Sequence, residues 1–304
     1  MKILDFGSLN IDYIYEVNHL VLPGETISSD KLTTTTGGKG LNQSIALSKA
    51  GAAPFHAGAI GKADMDMLKG MLDNNGVKTD YVKILPGSSG HAIIQVDKNG
   101  QNCIVLYGGA NQQIDKEFVD RVLENFDNGD IILLQNEISS IEYIMEMSYK
   151  KGLKIYFNPS PANPKLFLYP IHYVDTLILN EVEGEQLTGE SNADFILDAL
   201  LKKYPEMKVV LTLGERGAAY ADKDRHEYHG IYKSTVVDTT AAGDTFTGYF
   251  IASAAKAMDI RDSLKYASAA ASIAVSKLGA ACSIPSLKEV EDFIAEFKEE
   301  PYHK

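Results

Sequence analysis

Asp130-Ile131-Ile132-Leu133-Leu134, a helical run over Ser139–Lys150 and then Leu153-Lys154-Ile155-Tyr156-Phe157 form the stretch that decides the fold class. Two short apolar, β-rich runs separated by a helix-length segment predict strand, helix, strand. The same rhythm extends in both directions. Upstream are Lys2–Gly7, a helix over about Leu41–Lys49, strand-like Pro54–Ile60 and a helix over about Asp64–Asn74. Downstream are Asp175–Leu179, a helical pair across Glu183–Lys203 and Lys208–Leu213. Such βαβα succession predicts an α/β protein with a mostly parallel sheet sandwiched by helices. The C-terminal part reads as helices over about Ala242–Ala257, Arg261–Lys277 and Leu287–Lys298, with Pro285-Ser286 breaking and capping before the last. No internal repeat is visible.

Two segments interrupt the rhythm. Asp12–Val17 and Ile27–Thr35 have strand character but are joined by a turn around Pro23-Gly24. His91–Val96 and Gln101–Tyr107 flank Asp97-Lys98-Asn99-Gly100, whose Asn-Gly is a hairpin signal. Together they predict a small accessory sheet inserted in two pieces, at 9–36 and 89–107, into an α/β domain made of 1–8, 37–88 and 108–304. By pattern alone that sheet suits a lid and a dimer-forming arm equally.

With 45% hydrophobic and 23% charged residues, the chain has the composition of an ordinary folded globular protein. A net charge of −12 provides no basic footprint, so nucleic acid is not an expected partner. A local pocket of N–H groups could still hold phosphate. The opening Met1-Lys2-Ile3-Leu4-Asp5 is followed by polar Asn10 and Asp12, which do not complete a signal-peptide apolar region. No run reaches the roughly 18 apolar residues of a membrane helix. A cytoplasmic protein without membrane contact is expected. Cys103 and Cys282 are too few and too far apart for a zinc or disulfide pattern, and are expected to be buried or half-buried thiols.

Two glycine-rich segments lead into helices. Thr36-Gly37-Gly38-Lys39-Gly40-Leu41-Asn42-Gln43 lets a backbone approach a ligand at a helix start. It is neither a Walker A loop, since Gly40 follows Lys39, nor a dinucleotide fingerprint, since Gln43 stands at the third glycine. Asp238-Thr239-Thr240-Ala241-Ala242-Gly243-Asp244-Thr245-Phe246 leaves N–H groups uncovered where the helix dipole favours an anion. Asp244 in that first turn reads alone as a carboxylate answering the dipole.

Taken together, and in this order and spacing, the two segments resemble the signatures of the ribokinase-like sugar kinase family. Gly7-Ser8-Leu9-Asn10-Ile11-Asp12, Pro23-Gly24-Glu25-Thr26, Gly108-Gly109-Ala110-Asn111, Asn158-Pro159-Ser160-Pro161, Asn180-Glu181-Val182-Glu183 and Leu213-Gly214-Glu215-Arg216-Gly217 extend the resemblance over about Ile3 to Phe293. The resemblance implies ATP-dependent phosphorylation of a sugar hydroxyl, with D-ribose the first candidate. Another pentose, a ketohexose or a nucleoside are the alternatives, and a non-catalytic sugar-binding regulator is the remote one.

Carried over residue by residue, the resemblance implies Asp244 as base, with the N–H groups of Ala242, Gly243 and Ala241 on the transferring phosphoryl group. Asn10, Asp12, Gly38, Lys39, Asn42 and Glu137 would hold the sugar, with Lys39 also able to touch the phosphoryl group. Asn180, Thr212, Gly214, Gly217, Gly243 and Ser268 would line the nucleotide site, Ser268 standing where the family often has histidine. Glu183 would meet Mg²⁺ through water. Asp238, Thr240, Ala274, Lys277, Gly279 and Ser283 would supply oxygens to an activating K⁺. Pairing of the inserted strands implies a homodimer.

Overall fold

The computed structural model describes residues 1–302. Strand β1 (Ile3–Phe6) enters the centre of the main sheet, then the chain leaves it for β2 (Asn10–Glu16) and β3 (Lys31–Gly37). Helix α1 (Lys39–Lys49) returns it to β4 (Phe55–Gly61), followed by α2 (Met65–Asn74) and β5 (Lys78–Leu85). A second excursion forms β6 (Gly90–Val96) and β7 (Asn102–Tyr107). The middle is the expected alternation: α3 (Lys116–Leu123), β8 (Ile131–Gln135), α4 (Ile141–Lys150), β9 (Lys154–Asn158) and β10 (Thr176–Asn180). It continues with α5 (Glu181–Thr188), α6 (Ala193–Lys203) and β11 (Lys208–Thr212). Strands β12 (Ala218–Ala221), β13 (His226–His229) and β14 (Ile231–Tyr232) precede α7 (Ala242–Ala255) and α8 (Ile260–Ala274). Helix α9 (Leu287–Glu296) and β15 (Glu299–Glu300), which pairs back on β14, close the described chain.

The main sheet has nine strands in the order β13-β12-β11-β10-β9-β8-β1-β4-β5, and every pair from β11 to β5 is parallel. Its central strands are apolar on both faces because helices cover both. Leu4, Phe6, Ile132, Leu134, Ile155 and Phe157 face a layer with Val119, Ile144 and Leu197 from α3, α4 and α6. Ile131, Leu133, Tyr156, Ile178 and Val210 face the other layer, with Ile45, Phe250 and Ala270 from α1, α7 and α8. Helix α7 is buried along the whole run from Asp244 to Ser253, which explains a sequence apolar on all sides.

The two excursions form a separate four-stranded sheet, β3-β2-β6-β7. Strand β3 pairs antiparallel with β2 and β7 with β6, while β2 and β6 run parallel from Asn10↔Gly90 to Glu16↔Val96. Strand β3 starts at Lys31, later than the Ile27 expected, because the ladder with β2 ends at Glu16↔Lys31. Sequence reading did not name β5, α3 or the antiparallel edge β12–β14. Alanine-rich β12 is wholly buried yet carries little strand propensity of its own.

The cysteine expectation is corrected. Both thiols are exposed: Cys103 lies on β7, every residue of which is exposed, and Cys282 lies in the turn after α8. Cys103 sits on an outer strand of the small sheet, where no second layer covers it. No helix among the described residues is long and apolar enough to cross a membrane.

Candidate active site

Helices α1, α5 and α7 are among those that begin near the carboxyl ends of the parallel strands, the edge where α/β folds bind ligands. Each has four N–H groups without intrahelical partners, and the three starts dispose of them differently. At α1 the N-cap Gly38 takes φ +94°, a conformation that favours glycine. Lys39 N–H donates to Glu137 Oε2 at 3.0 Å, Gly40 N–H to Ser8 Oγ at 3.2 Å and Leu41 N–H to the Ser8 carbonyl at 3.0 Å. A Cβ on Gly40 would stand 2.4 Å from Ser8 N, so this start is packed shut against the end of β1. The expectation that a ligand meets the α1 backbone is therefore modified, because its first donors already serve Glu137 and Ser8.

At α5, Asn180 Oδ1 accepts from Glu183 N–H at 2.9 Å and Glu183 Oε2 accepts from Asn180 N–H at 3.0 Å, a closed capping box. At α7 no side chain caps the helix, and the N-cap Ala241 holds φ +58°, unusual for a residue with a Cβ. Ala242 N–H makes a long bond to the Thr239 carbonyl at 3.3 Å. Gly243 has open space where a Cβ would project. Of the three starts, α7 is the one open to an anion.

Asp244 lies in that first turn, 7% exposed. Asn42 Nδ2 donates to its Oδ2 at 2.9 Å and Gln43 Nε2 to its Oδ1 at 2.8 Å, so two amides from α1 hold the carboxylate. Gln43 also donates to Asn158 Oδ1 at 3.2 Å. Burial pulls the Lys39 ammonium down, but Asp244, Glu137 and Glu183 together outweigh it and hold it above the ordinary lysine range. It stays charged.

A polar cavity of about 240 Å³ takes in Lys39, Asn158, Ser160, Asn180, Glu183 and Asp244. A larger one of about 530 Å³ lies beside Gly214, Gly217, Tyr232, Phe246 and Ser268. Thr212, Thr239 and Gly243 line both, so the α7 start stands where the two cavities meet. The Ser268 hydroxyl is buried without a hydrogen-bond partner among the described residues. Gly217 takes φ +100°, and a Cβ there would stand 2.1 Å from the His229 carbonyl.

Asn10, Asp12, Gly38, Asn42 and Glu137 lie outside those linings, and Asn42 and Glu137 touch them. Asn42 touches Asp244, and Glu137 touches the backbone of Lys39. Asn10 Oδ1 accepts from Asn111 Nδ2 at 2.7 Å. Burial, reinforced by the Glu137 charge, pushes Asp12 up to about 6. The sequence assigns no role to Asn111, Gln43 or Asn158, although each stands in a motif. Their amides join segments distant in sequence, which spacing does not reveal.

Of the residues implied for cations, Asp238, Thr240 and Gly279 form one cluster. Asp238 Oδ1 accepts from Thr240 N–H at 2.9 Å and Thr240 Oγ1 at 2.6 Å, and Oδ2 accepts from Gly279 N–H at 2.9 Å. The Lys277 ammonium pairs with Glu289 at 3.0 Å, and its N–H donates to the Ala274 carbonyl. The Ser283 hydroxyl donates to the Ala280 carbonyl at 2.7 Å. Among the described residues no group of three or more His, Cys, Asp or Glu could hold a metal by itself. A divalent ion here would have to come with a phosphate, and lone Glu183 at the cavity wall fits that.

The description "pfkB family carbohydrate kinase" matches residues 2–287. A ribokinase of Schizosaccharomyces pombe is 34% identical over 310 residues, covering 96% of this chain and 97% of that protein. The structure of a Cryptococcus neoformans ribokinase in complex with ADP superposes with a TM-score of 0.83 at 34% identity, covering 96% of this chain and 99% of that one. An Arabidopsis thaliana ribokinase complexed with ribose and ATP gives 0.84 at 30% identity, over 96% and 98%.

Proposed function

The chain belongs to the pfkB family of carbohydrate kinases, and from that premise we propose that it transfers the γ-phosphoryl group of ATP to D-ribose, giving D-ribose 5-phosphate. The observation that carries the reading is Asp244, gripped by Asn42 and Gln43 at the open start of α7, where the two cavities meet. ATP occupies the larger cavity with its base beside Ser268 and its phosphates directed past Gly214 and Gly217 toward Gly243. The sugar lies on the side of Asn10, Asp12, Gly38, Asn42 and Glu137.

Asp244 accepts the proton of the attacking hydroxyl. A carboxylate is a weak base toward a sugar hydroxyl, which suffices because a loose phosphoryl-transfer transition state demands positioning and charge stabilisation more than early proton removal. The Gly243 N–H and the Lys39 ammonium face the charge that develops, with Ala241 and Ala242 contributing backbone to the same turn. Bound Mg²⁺ would neutralise phosphate charge, met through water by Glu183 beside Asn180. Asp238, Thr240, Ala274, Lys277, Gly279 and Ser283 are assigned to K⁺, whose oxygen preference suits a carboxylate, hydroxyls and carbonyls.

Segments 9–36 and 89–107 form the lid over the sugar, and 1–8, 37–88 and 108–304 the α/β domain. The edge strand of the lid supports a homodimer: Ile104, Val105, Leu106 and Tyr107 on β7 are each at least half exposed, and an open apolar edge needs a partner. The use of ATP agrees with the cytoplasmic setting expected from the sequence. The test is a coupled ADP-release assay with Mg-ATP across D-ribose, 2-deoxyribose, fructose and adenosine, with the product identified by mass. D-Ribose should give the highest kcat/KM. A nucleoside leading the panel would refute the ribose assignment while leaving the kinase reading intact.

A further inference from the structure

Beneath the candidate base, a polar chain crosses a layer that is otherwise apolar. Asp5 and His56 are register partners on β1 and β4, lie on the sheet face toward α1 and are fully buried. Leu133, the register partner of Asp5 on β8, belongs to the apolar layer on that face. A carboxyl and an imidazole in such a layer are costly unless hydrogen-bonded. They are bonded, and the bonds lead to the site. Gln135 Nε2 donates to Asp5 Oδ1 at 2.9 Å and to Gln43 Oε1 at 2.8 Å, and Gln43 Nε2 donates to Asp244 Oδ1 at 2.8 Å. On the other side, Ser44 Oγ lies 2.8 Å from Asp5 Oδ2 and 2.8 Å from His56 Nδ1.

Counting protons, together with the cost of charge in this apolar layer, fixes the direction of the chain. Ser44 has one hydroxyl proton and two neighbours. If it donates to Asp5, a neutral His56 must carry its proton on Nδ1, leaving a bare Nε2 toward the Gly7 carbonyl outside good hydrogen-bond geometry, while a doubly protonated His56 would set a buried imidazolium and a buried carboxylate in an apolar layer. If Ser44 donates to His56 Nδ1, the imidazole carries its proton on Nε2 toward that carbonyl and Asp5 Oδ2 carries a proton toward Ser44. The second arrangement sets no two lone pairs against each other. It leaves Asp5 Oδ1 a pure acceptor, which orients the Gln135 amide, which orients Gln43 with its N–H toward Asp244.

We propose that Asp5 is a neutral carboxylic acid that acts as a positioning residue for Asp244, through Gln135 and Gln43. The inference rests on the reading of Asp244 as the base. Burial agrees with it: it pushes Asp5 up to about 8, against the hydrogen bonds of Gln135 and Ser44, and pushes His56 down to about 3. Asp5 is faced by Asp244 from α7 and His56 from β4, while α1 and β8 present the neutral Ser44, Gln43 and Gln135. The raised pKa means that between about pH 4 and 8 the folded state holds a proton that the unfolded chain releases. The stability associated with it is present at low pH and is lost as pH rises through about 8.

The test compares wild type, Asp5→Asn and Asp5→Ala. Asparagine reproduces the neutral acid, with its oxygen toward Gln135 and its NH₂ toward Ser44. Asp5→Asn should keep kcat at pH 7 within about twofold, whereas Asp5→Ala should lower kcat on the order of tenfold with both KM values nearly unchanged, less than the roughly 10²–10³ of losing a direct donor. Between pH 5 and 7.5 the unfolding constant of wild type relative to Asp5→Asn should rise by about tenfold per pH unit, the slope of one proton. That second measurement decides the matter even if Asp5→Ala does not fold. A tenfold loss in Asp5→Asn, a normal kcat in a folded Asp5→Ala or a flat unfolding ratio would each overturn the proposal. A normal kcat in Asp244→Asn, run in parallel, would instead remove the base reading and leave the Asp5 proton to the unfolding ratio.

Discussion

The starts of α1 and α7 carry the same kind of sequence, a run of small residues leading into a helix, and end in opposite states. At α1 the first N–H groups are taken by Glu137 and Ser8, and Gly40 is a glycine because a Cβ would strike the backbone of Ser8. At α7 no side chain caps the helix, and Gly243 is a glycine with open space before it. One glycine permits packing and the other permits approach. Helix α1 contributes what lies further along it, the amides of Asn42 and Gln43, which hold Asp244 from across the site. A glycine-rich helix start is therefore no evidence of an anion site until its donors have been accounted for.

The same kind of substitution at the two starts should separate these roles. Gly243→Val places its Cβ in open space and keeps the N–H but covers it with a branched side chain, so the protein should fold while kcat/KM for ATP falls by roughly 10²–10³, as much as if the anion-hole donor were lost. Gly40→Ala should do the reverse, lowering stability by about 3 kcal/mol, the upper part of the overpacking range, because the Cβ would meet backbone that cannot swing aside. Thermal unfolding and steady-state kinetics on both variants make the comparison. A Gly40→Ala protein of wild-type stability would show that the α1 start is not packed shut.

Potassium probes what holds the open start in place. Asp238 already ties Thr240 to Gly279, and a cation would tighten the same join. Initial rates at saturating ribose and Mg-ATP should be on the order of tenfold higher in potassium chloride than in tetramethylammonium chloride at equal ionic strength, well below the loss of a donor itself. Equal rates would mean that the Asp238 hydrogen bonds suffice.

The smallest effect lies on the α1 side. Because burial and Glu137 push Asp12 up to about 6, it is ionised at pH 7.5 and gains its proton as pH falls through that value. A carboxylate that accepts sugar hydroxyl protons loses that capacity when protonated. KM for the sugar should therefore be flat above pH 7 and rise several-fold by pH 5, with KM for ATP steady, and Asp12→Asn should remove the pH dependence. A sugar KM flat down to pH 5 would exclude Asp12 from the sugar contacts.

Much of this was legible in sequence because it rests on local pattern. Apolar runs such as Ile131–Leu134 and Ile155–Phe157, spaced by helix-length segments, specified a parallel sheet before any contact was known. The two hairpin-like interruptions announced a second sheet. What stayed hidden depends on tertiary neighbours. Alanine in β12 acquires strand structure from its flanking strands, and Cys103 is exposed because no layer covers β7. Whether Gly40 or Gly243 faces a ligand is decided by Ser8 and Glu137, residues that lie far from Gly40 in sequence. Asp5 and His56 broke the apolar pattern of their strands openly, but their connection passes through Gln135 and Gln43 and has no linear spacing to read.

The most direct test is Asp244→Asn, which keeps the shape of the side chain and removes its capacity to accept a proton. Sugar binding measured by calorimetry should stay close to wild type and the protein should remain folded, while kcat should fall by roughly 10²-fold or more, the usual contribution of a positioned base. A folded Asp244→Asn protein with near-normal kcat would contradict the assignment of the base and, with it, the function given to the open start of α7.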